Sequence, residues 1–238
     1  MGYFNADLHI HTCLSPCGDV DMSPRNIINI AIERNLQIIA ITDHNSTHNV
    51  SVCVELGNRK GLFVIPGCEV NTIEEVHCLC YFPHLWALDD FQKYLDSRIA
   101  NIKNDPDKFG YQVAVDENDV IIYEEERSLF IGIMDSIDTL AKVVHKLGGL
   151  FVPAHIDRPV NSLFSQLGFI PKDLDYDALE VSKRTTVDDF TEKHPELKGE
   201  FFLQNSDAHY TDDIAVAYNM FKMESANWEC FKLLFNKQ

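Results

Sequence analysis

Basic residues are scarce in this sequence. Its 238 residues include 20 Lys and Arg against 37 Asp and Glu, which gives a formal net charge of −17. Proteins that hold nucleic acids or anionic membranes use clustered positive charge. We therefore expect neither a nucleic-acid polymer nor a membrane as a partner. Small anionic molecules stay open, because metal cations in a site can reverse the local field.

Long apolar runs, a leader segment and paired cysteines are also missing. No stretch approaches the roughly 18 apolar residues that a transmembrane helix needs. The first residues, MGYFNADLHI, lack the basic and apolar regions of a secretory signal. The seven cysteines are an odd number and contain no C-x-x-C pair. These absences predict a reduced, cytoplasmic protein whose cysteines are mostly small buried residues.

The chain also has no linker, repeat or low-complexity run, so we expect one domain over residues 1–238. Hydrophobic residues make up 45%, enough for a sizeable core. Short apolar runs such as LQIIAIT (36–42) and LFVIPG (62–67) alternate with segments of helical periodicity. Ser23-Pro24 has the cap and first-turn residues of a helix start. This alternation favours an α/β fold with a mainly parallel sheet, open or closed into a barrel.

Potential metal ligands stand where the apolar runs stop. The carboxyl ends of parallel strands are where α/β proteins build their active sites. A single His or Asp there is usually a cap or loop residue, but the pattern recurs along the whole chain. The six places are DLHIH (7–11), TDHN (42–45), GCEV (67–70), EVHCL (75–79), PAHID (153–157) and SDAH (206–209).

Spacing groups some of these side chains. Alternate residues of an extended segment face the same side. His9 and His11 therefore point together, with Asp7 on the same face, and Asp207 and His209 repeat the arrangement. Imidazole and carboxylate ligands without thiolates suit Zn, Mn or Fe and argue against a cysteine-type structural zinc site.

The motifs together resemble the PHP family, the polymerase and histidinol phosphatase superfamily of metal-dependent phosphoesterases. DLHIHT, AITDHN, GCEV, VHCLCYF, PAHIDRP and NSDAHY occur in the family's order, over residues 3 to about 215. The resemblance implies a distorted seven-stranded (β/α)7 barrel with the metal site at the carboxyl-terminal mouth.

The resemblance also implies two or three divalent ions, of Zn, Mn or Fe with Mg as a further option, and nine ligands. In the loop after the first motif, Asp19 is preferred to Asp21 because it holds the family's spacing to Pro24. Glu69 is expected to bridge two ions, and Glu69, His44 and Asp207 are the expected catalytic residues. Asp43 and Asp7 are expected to orient ligands from behind. The nine ligands are His9, His11, Asp19, His44, Glu69, His77, His155, Asp207 and His209.

The expected activity is hydrolysis of a small phosphate ester, either a sugar or amino-alcohol phosphate or a nucleotide phosphate. Metal-activated hydroxide at a trinuclear site would attack phosphorus in line, without a covalent enzyme intermediate. Arg158, Lys183 and Arg184 are the expected phosphate-binding residues, because cationic side chains pair with phosphate oxygens.

Three other functions stay open. They are a nuclease acting on single strands, a non-catalytic metal-binding module, and a metal-dependent hydrolase of C–N bonds, since a fold does not fix a reaction. The segment at about 83–135 fits the family pattern least and is predicted to be an insertion. Cys13 and Cys17 are interpreted as loop packing close enough to the metal site to respond to oxidation. The oligomeric state stays open.

Overall fold

The computed structural model describes residues 1–235, in which ten strands and eight α-helices largely alternate. The strands are β1 (Gly2–Ile10), β2 (Ile38–Ile41), β3 (Phe63–Asn71), β4 (His77–Tyr81), β5 (Val113–Val115), β6 (Ile121–Glu124), β7 (Leu150–Pro153), β8 (Leu179–Glu180), β9 (Phe202–Leu203) and β10 (Asn219–Met223). The helices are α1 (Pro24–Glu33), α2 (Val50–Lys60), α3 (Leu85–Arg98), α4 (Pro106–Phe109), α5 (Ile137–Lys146), α6 (Leu163–Gln166), α7 (Val187–Lys193) and α8 (Trp228–Lys232).

The main sheet has six strands in the order β10-β1-β2-β3-β4-β7. β1, β2 and β3 are parallel, whereas β4 runs antiparallel to both β3 and β7, and β10 runs antiparallel to β1. The start of β4 therefore lies at the same edge as the carboxyl ends of β1, β2, β3 and β7. For this reason His77, the first residue of β4, reaches the edge where the other candidate ligands lie.

A short parallel pair, β8 and β9, continues the curve of the main sheet. Beyond β7, the Ile156 N–H donates to the Glu180 carbonyl at 2.9 Å, and beyond β9, Ala208 forms a bridge with Ile10 of β1. The predicted α/β class is confirmed as a mixed α/β fold with a curled, half-barrel sheet. The complete seven-stranded barrel stays a prediction.

Both faces of the central strands are buried, which explains why these strands are continuous apolar runs in the sequence. In β2, Ile38 and Ala40 pack on one side, where Phe231 of α8 completes a cluster of buried side chains. Ile39 and Ile41 pack on the other side, against helices α1, α2, α3 and α5. α1 begins where the sequence predicts, because the Ser23 hydroxyl accepts the Asn26 N–H at 3.4 Å as an N-cap.

The segment at 83–135 divides into two parts. α3 buries Leu88, Phe91 and Leu95 in the main core. The remainder carries a hairpin of β5 and β6, whose second strand is exposed along its whole length. That the whole segment is an insertion stays a prediction. Among the helices of residues 1–235, none is long and apolar enough to cross a membrane.

Candidate metal centre

The Glu69 side chain, in β3 and 1% exposed, lies at the middle of the candidate site. Its Oε2 lies 3.3 Å from Nε2 of His9 and 3.3 Å from Nε2 of His11, both on or just after β1. The same oxygen lies 3.1 Å from Nδ1 of His44, which follows β2. Three imidazoles from two strand ends therefore meet one carboxylate oxygen.

The other carboxylate oxygen of Glu69 faces a second pair of imidazoles. Oε1 lies 3.1 Å from Nδ1 of His77, at the start of β4, and 3.1 Å from Nε2 of His155, just after β7. Each oxygen of Glu69 thus has its own set of nitrogen neighbours. This is the geometry that the prediction of a bridging carboxylate requires.

The loop after β9 adds Asp207 and His209. Asp207 Oδ1 lies 3.5 Å from Nε2 of both His9 and His11, and the His209 ring stacks on His11 with centroids 4.1 Å apart. Asp207 and His155 have positive φ angles of 49° and 29°. Such backbone is costly for residues other than glycine and concentrates at functional sites.

These side chains fit a divalent cation. Nε2 of His9 and Nε2 of His11 are 3.1 Å apart, and Nδ1 of His155 is buried without a hydrogen-bond partner. A buried polar nitrogen that faces another nitrogen, or that has no hydrogen-bond partner, costs free energy unless an ion or a hydrogen bond satisfies it. Three groups of side chains bring their ligand atoms within 4.8 Å of one another: His9, His11 and Glu69; His44, Glu69 and His77; His11, Cys17, His44 and His209.

The ionisation of the site suits metal binding as well. Burial opposes the charge on Glu69, but the imidazoles of His77 and His9 hold its pKa well below the usual range. Burial lowers the pKa of His44 well below its usual value and, with the nearby His11, that of His209 to about 4. Neutral imidazoles and an ionised carboxylate are the forms that ligate cations. His9 differs, because against the effect of burial Glu180 and Glu69 raise its pKa well above the usual value, so its ring would release a proton when an ion binds.

Asp43 lies behind the candidate ligands. Its carboxylate accepts the Thr12 N–H, the Thr12 hydroxyl and the Ser15 hydroxyl, each at 2.7 Å. The Ser15 oxygen lies 3.0 Å from Nδ1 of His11 and accepts the His44 N–H at 3.1 Å. Asp43 thereby fixes two candidate ligands through one serine, which is the support that ligating histidines commonly have.

Asp7 supports the other side of the site. It accepts the N–H groups of Ser206 at 3.1 Å and Ala215 at 2.9 Å, so it holds both ends of the loop that carries Asp207 and His209. Burial raises the pKa of its carboxyl to about 6. Asp7 thus positions a loop, while sequence spacing alone had placed it beside His9 and His11.

Glu180, at the end of β8, is a supporting residue that the sequence analysis did not identify. Its carboxylate lies 3.0 Å from Nδ1 of His9 and accepts the His155 N–H at 2.8 Å and the Asn205 side-chain N–H at 2.8 Å. Its side chain is only 2% exposed. The available signal was its position: Glu180 is an acidic residue inside the short apolar run ALEVS (178–182), as Glu69 is inside GCEV.

Asp19 and Cys17 lie in the same loop but in different surroundings. Asp19 Oδ1 accepts the Asp21 N–H at 2.9 Å, and its carboxylate is in none of the three ligand groups found among the described residues. Cys17, in contrast, belongs to the third group. The assignment of Asp19 as a ligand stays a prediction that this geometry does not favour.

The three predicted phosphate-binding residues line one open cleft over the metal centre. Nη1 of Arg158 lies 2.8 Å from Oδ2 of Asp207, and Nζ of Lys183 lies 3.6 Å from Asp213. Arg184 lines the same cleft, whose volume is about 420 Å³. Two exposed aromatic side chains, Phe130 and Tyr210, also line it.

The family model described as the PHP domain matches residues 7–184. The chain belongs to the PHP family. The resemblance seen in its motifs is thereby confirmed.

Similar proteins differ in how much of their length this chain spans. The uncharacterized protein YqxK of Bacillus subtilis is 26% identical over 98% of this chain and 62% of its own length. A phosphoribosyl 1,2-cyclic phosphate 1,2-diphosphodiesterase of Eggerthella lenta is 27% identical over 77% of this chain and 70% of its own. The lesion-specific endonuclease PfuEndoQ of Pyrococcus furiosus has the same fold, with a TM-score of 0.76, 20% identity and coverage of 97% of this chain and 55% of its own.

One expectation from the sequence is wrong. An Endonuclease Q structure that matches this chain with a TM-score of 0.77, 20% identity and coverage of 98% of this chain and 56% of its own holds a 27-mer duplex substrate with an abasic lesion at the active site. The fold is therefore compatible with a nucleic-acid polymer, which the net charge had led us to exclude. Net charge sums the whole surface, whereas binding depends on the local field, and here three cationic side chains line the cleft itself.

Proposed function

We propose that this chain is a metal-dependent phosphoesterase that hydrolyses a phosphate ester in the cleft over Glu69. The observation that carries the proposal is the buried Glu69 carboxylate, with imidazole nitrogens at 3.1–3.3 Å from both of its oxygens. Membership of the PHP family and the similarity to a phosphodiesterase support the same reaction class.

The ions would be held by the two histidine sets on either side of Glu69, together with Asp207. Bound divalent cations lower the pKa of a coordinated water towards about 7 and neutralise charge on the phosphoryl oxygens. Glu69 sets the spacing of the two positions, because its two oxygens face different histidines. Glu180 and Asp43 hold those histidines in place.

The remaining residues would orient the ester. Arg158 offers a planar guanidinium for phosphate oxygens, and it is already directed to the centre by its contact with Asp207. Lys183 and Arg184 add two further positively charged side chains to the lining of the cleft. We infer that water attacks phosphorus, the P–O bond to the alcohol breaks, and the leaving alkoxide takes up a proton. No side chain of this chain forms a covalent intermediate.

The leading substrate class is a small phosphate ester, such as a nucleotide or a sugar or amino-alcohol phosphate. A cleft of about 420 Å³ is within the usual range for small-molecule sites. A nucleic-acid strand is the second candidate. It is favoured by the exposed rings of Phe130 and Tyr210 beside the cationic residues, because such surfaces stack bases while they hold the backbone.

Hydrolysis by the metal-loaded protein in oxygen-18 water tests the reaction. We expect label in the phosphate product within a single turnover and loss of activity in His9→Ala. Recovery of a phosphorylated protein after rapid quenching would contradict direct attack by water. Metal binding without hydrolysis of any phosphate ester would contradict the enzyme itself and favour a structural metal module.

A substrate panel separates the two classes. It contains nucleoside monophosphates, a cyclic phosphodiester, a single-stranded oligonucleotide and a duplex with an abasic site. Turnover of the small esters with no cleavage of either polymer supports the leading class. Cleavage of a polymer that weakens about 10-fold or more in Tyr210→Ala, at about 1–3 kcal/mol per stacked base, supports the second.

A further inference from the structure

Cys17 lies among imidazoles at the mouth of the candidate metal centre. Its Sγ and one ring nitrogen each of His11, His44 and His209 are all within 4.8 Å of one another. The residue is exposed and lines the cleft. A sulfur and several nitrogens that converge in this way are a typical zinc-type donor set.

The loop that carries Cys17 is held in this position by its backbone. The Gly18 N–H donates to the Ser15 carbonyl at 2.9 Å, and the Asp19 N–H donates to the His209 carbonyl at 2.9 Å. A Cβ at Gly18 would lie 2.2 Å from the Thr12 carbonyl oxygen, so only glycine allows the loop to close this tightly. The loop is therefore hydrogen-bonded to the backbone of His209, one of the histidines that the Cys17 sulfur faces.

The other cysteine of the loop has different surroundings. Cys13 is 7% exposed, and its sulfur lies 3.8 Å from both the Val113 carbonyl oxygen and the Asn49 side-chain nitrogen. It packs between β1 and the hairpin, away from the imidazoles. Cys13 and Cys17 thus lie in the same loop but in different surroundings, so Cys13 serves as a control for Cys17.

We propose that Cys17, His44 and His209 hold a cation, with the Cys17 sulfur as the ligand from the first loop in place of the Asp19 carboxylate. His11 borders this position, but its Nε2 faces Glu69 and its Nδ1 faces the Ser15 hydroxyl, whereas His44 faces Glu69 with Nδ1 alone. Three protein ligands leave a fourth position free for water or a phosphate oxygen. On binding, the thiol releases its proton to solvent and the sulfur lone pair forms the bond to the metal.

The proposal predicts which metals this position takes. A thiolate with two imidazoles favours Zn or Fe(II) and disfavours Mg, which prefers oxygen ligands. The inference rests on the proposed metal-dependent phosphoesterase and adds to it a ligand and a metal preference.

Cobalt substitution of the full chain tests the proposal. We expect a near-ultraviolet sulfur-to-cobalt charge-transfer band and one bound equivalent that are both lost in Cys17→Ser, where cobalt affinity at this position falls at least about 100-fold. The band and the equivalent should persist in Asp19→Asn and in Cys13→Ser, the matched control from the same loop.

Alkylation of the unmodified chain gives a second measurement that needs no variant. Zinc should protect Cys17 from iodoacetamide, while Cys230, a partly exposed thiol far along the chain, should react equally with and without zinc. If Cys17→Ser keeps the band, or if zinc leaves Cys17 alkylation unchanged, the inference is wrong while the proposed function stands. If neither cobalt nor zinc binds at all, the proposed function fails with it.

Discussion

Two parts of the candidate metal centre differ in how they are built. We call His9, Glu69 and His155 the inner group, and Cys17, His44 and His209 the outer group. The inner side chains are at most 1% exposed and lie in or directly after strands β1, β3 and β7. In the outer group, Cys17 is exposed, the His209 side chain is 20% exposed, the His44 side chain is 11% exposed, and all three residues lie in loops.

The supports of the two groups differ in the same way. Glu180 contacts the inner group twice, at the His9 ring and at the His155 backbone, from a neighbouring strand. The outer group depends on backbone hydrogen bonds and on the Ser15 hydroxyl, which links the His44 backbone N–H, not its ring, to the Asp43 carboxylate. A carboxylate behind a histidine ring fixes its orientation and raises its basicity. We infer that the inner positions would bind ions more tightly, and that an ion at the outer position would exchange with solution through the cleft.

The largest expected effect comes from Glu69→Gln, which removes the carboxylate charge at the middle of the candidate site. We expect hydrolysis to fall by about 10³-fold or more, since metal-based charge stabilisation contributes several kcal/mol to the transition state. Inner-group metal should be lost with it. Elemental analysis and initial rates measure both quantities, with Glu33→Gln on the exposed face of α1 as the control. Full activity in Glu69→Gln would remove the basis of the proposed site.

An intermediate effect is expected from Glu180→Gln, which keeps the shape but weakens the support of His9. Metal affinity of the inner group should fall by about 10–100-fold, the usual result of removing such a partner. The sulfur-to-cobalt band of the outer group should not change. Equal weakening at both groups would show that they form one unit, and the exposed Glu192→Gln serves as the matched variant.

The smallest effect is expected at a histidine–carboxylate cluster outside the metal centre. Nε2 of His145 lies 2.9 Å from Asp177, and Nδ1 lies 3.2 Å from Asp175; these contacts raise the pKa of the imidazole above its usual value, against burial and the nearby Lys232. The raised pKa means that the protonated ring stabilises the fold below about pH 6.5 and that this stabilisation is lost as the pH rises through the folded-state pKa.

His145→Gln should therefore destabilise the protein by less than about 1 kcal/mol near pH 5.5, and by less still near pH 9, because the pair is partly exposed. Thermal unfolding with a chelator present measures the difference, with the exposed Lys142→Gln on the same helix as the control. Metal should not alter the effect. A larger loss at pH 9 than at pH 5.5 would contradict the assigned direction of the pKa.

Much of the inner group could be predicted from the sequence, since strand periodicity and the placement of His9, Glu69 and His155 at the ends of apolar runs need only local rules. Glu180 stands inside a similar short run, but nothing local shows that its carboxylate reaches the His9 ring and the His155 backbone. The start of β4 is a similar case. His77 begins β4 and still lies with the other candidate ligands, because β4 runs antiparallel to its neighbours.

The outer group shows the limit of spacing arguments. The spacing to Pro24 favours Asp19 as the loop ligand, and that assignment stays a prediction. In the structure a tight loop closed by Gly18 turns the Cys17 sulfur to the imidazoles, and Asp19 Oδ1 accepts the Asp21 N–H. Loop conformation depends on contacts with distant segments, here the His209 carbonyl. The expectation that nucleic acids are excluded was wrong for a related reason. The net charge carries no information on where Arg158, Lys183 and Arg184 lie.

The sequence by itself determined the α/β class, the family and most of the candidate ligands, because alternating periodicity and ligand-bearing strand ends are local properties of the chain. The tertiary structure decided which carboxylate supports His9, which loop residue faces the outer histidines, and where the cationic side chains gather. These are contacts between segments up to about 200 residues apart in sequence, such as Asp7 with Ser206. Such contacts are set by how the sheet curls and its loops pack, which no local pattern encodes.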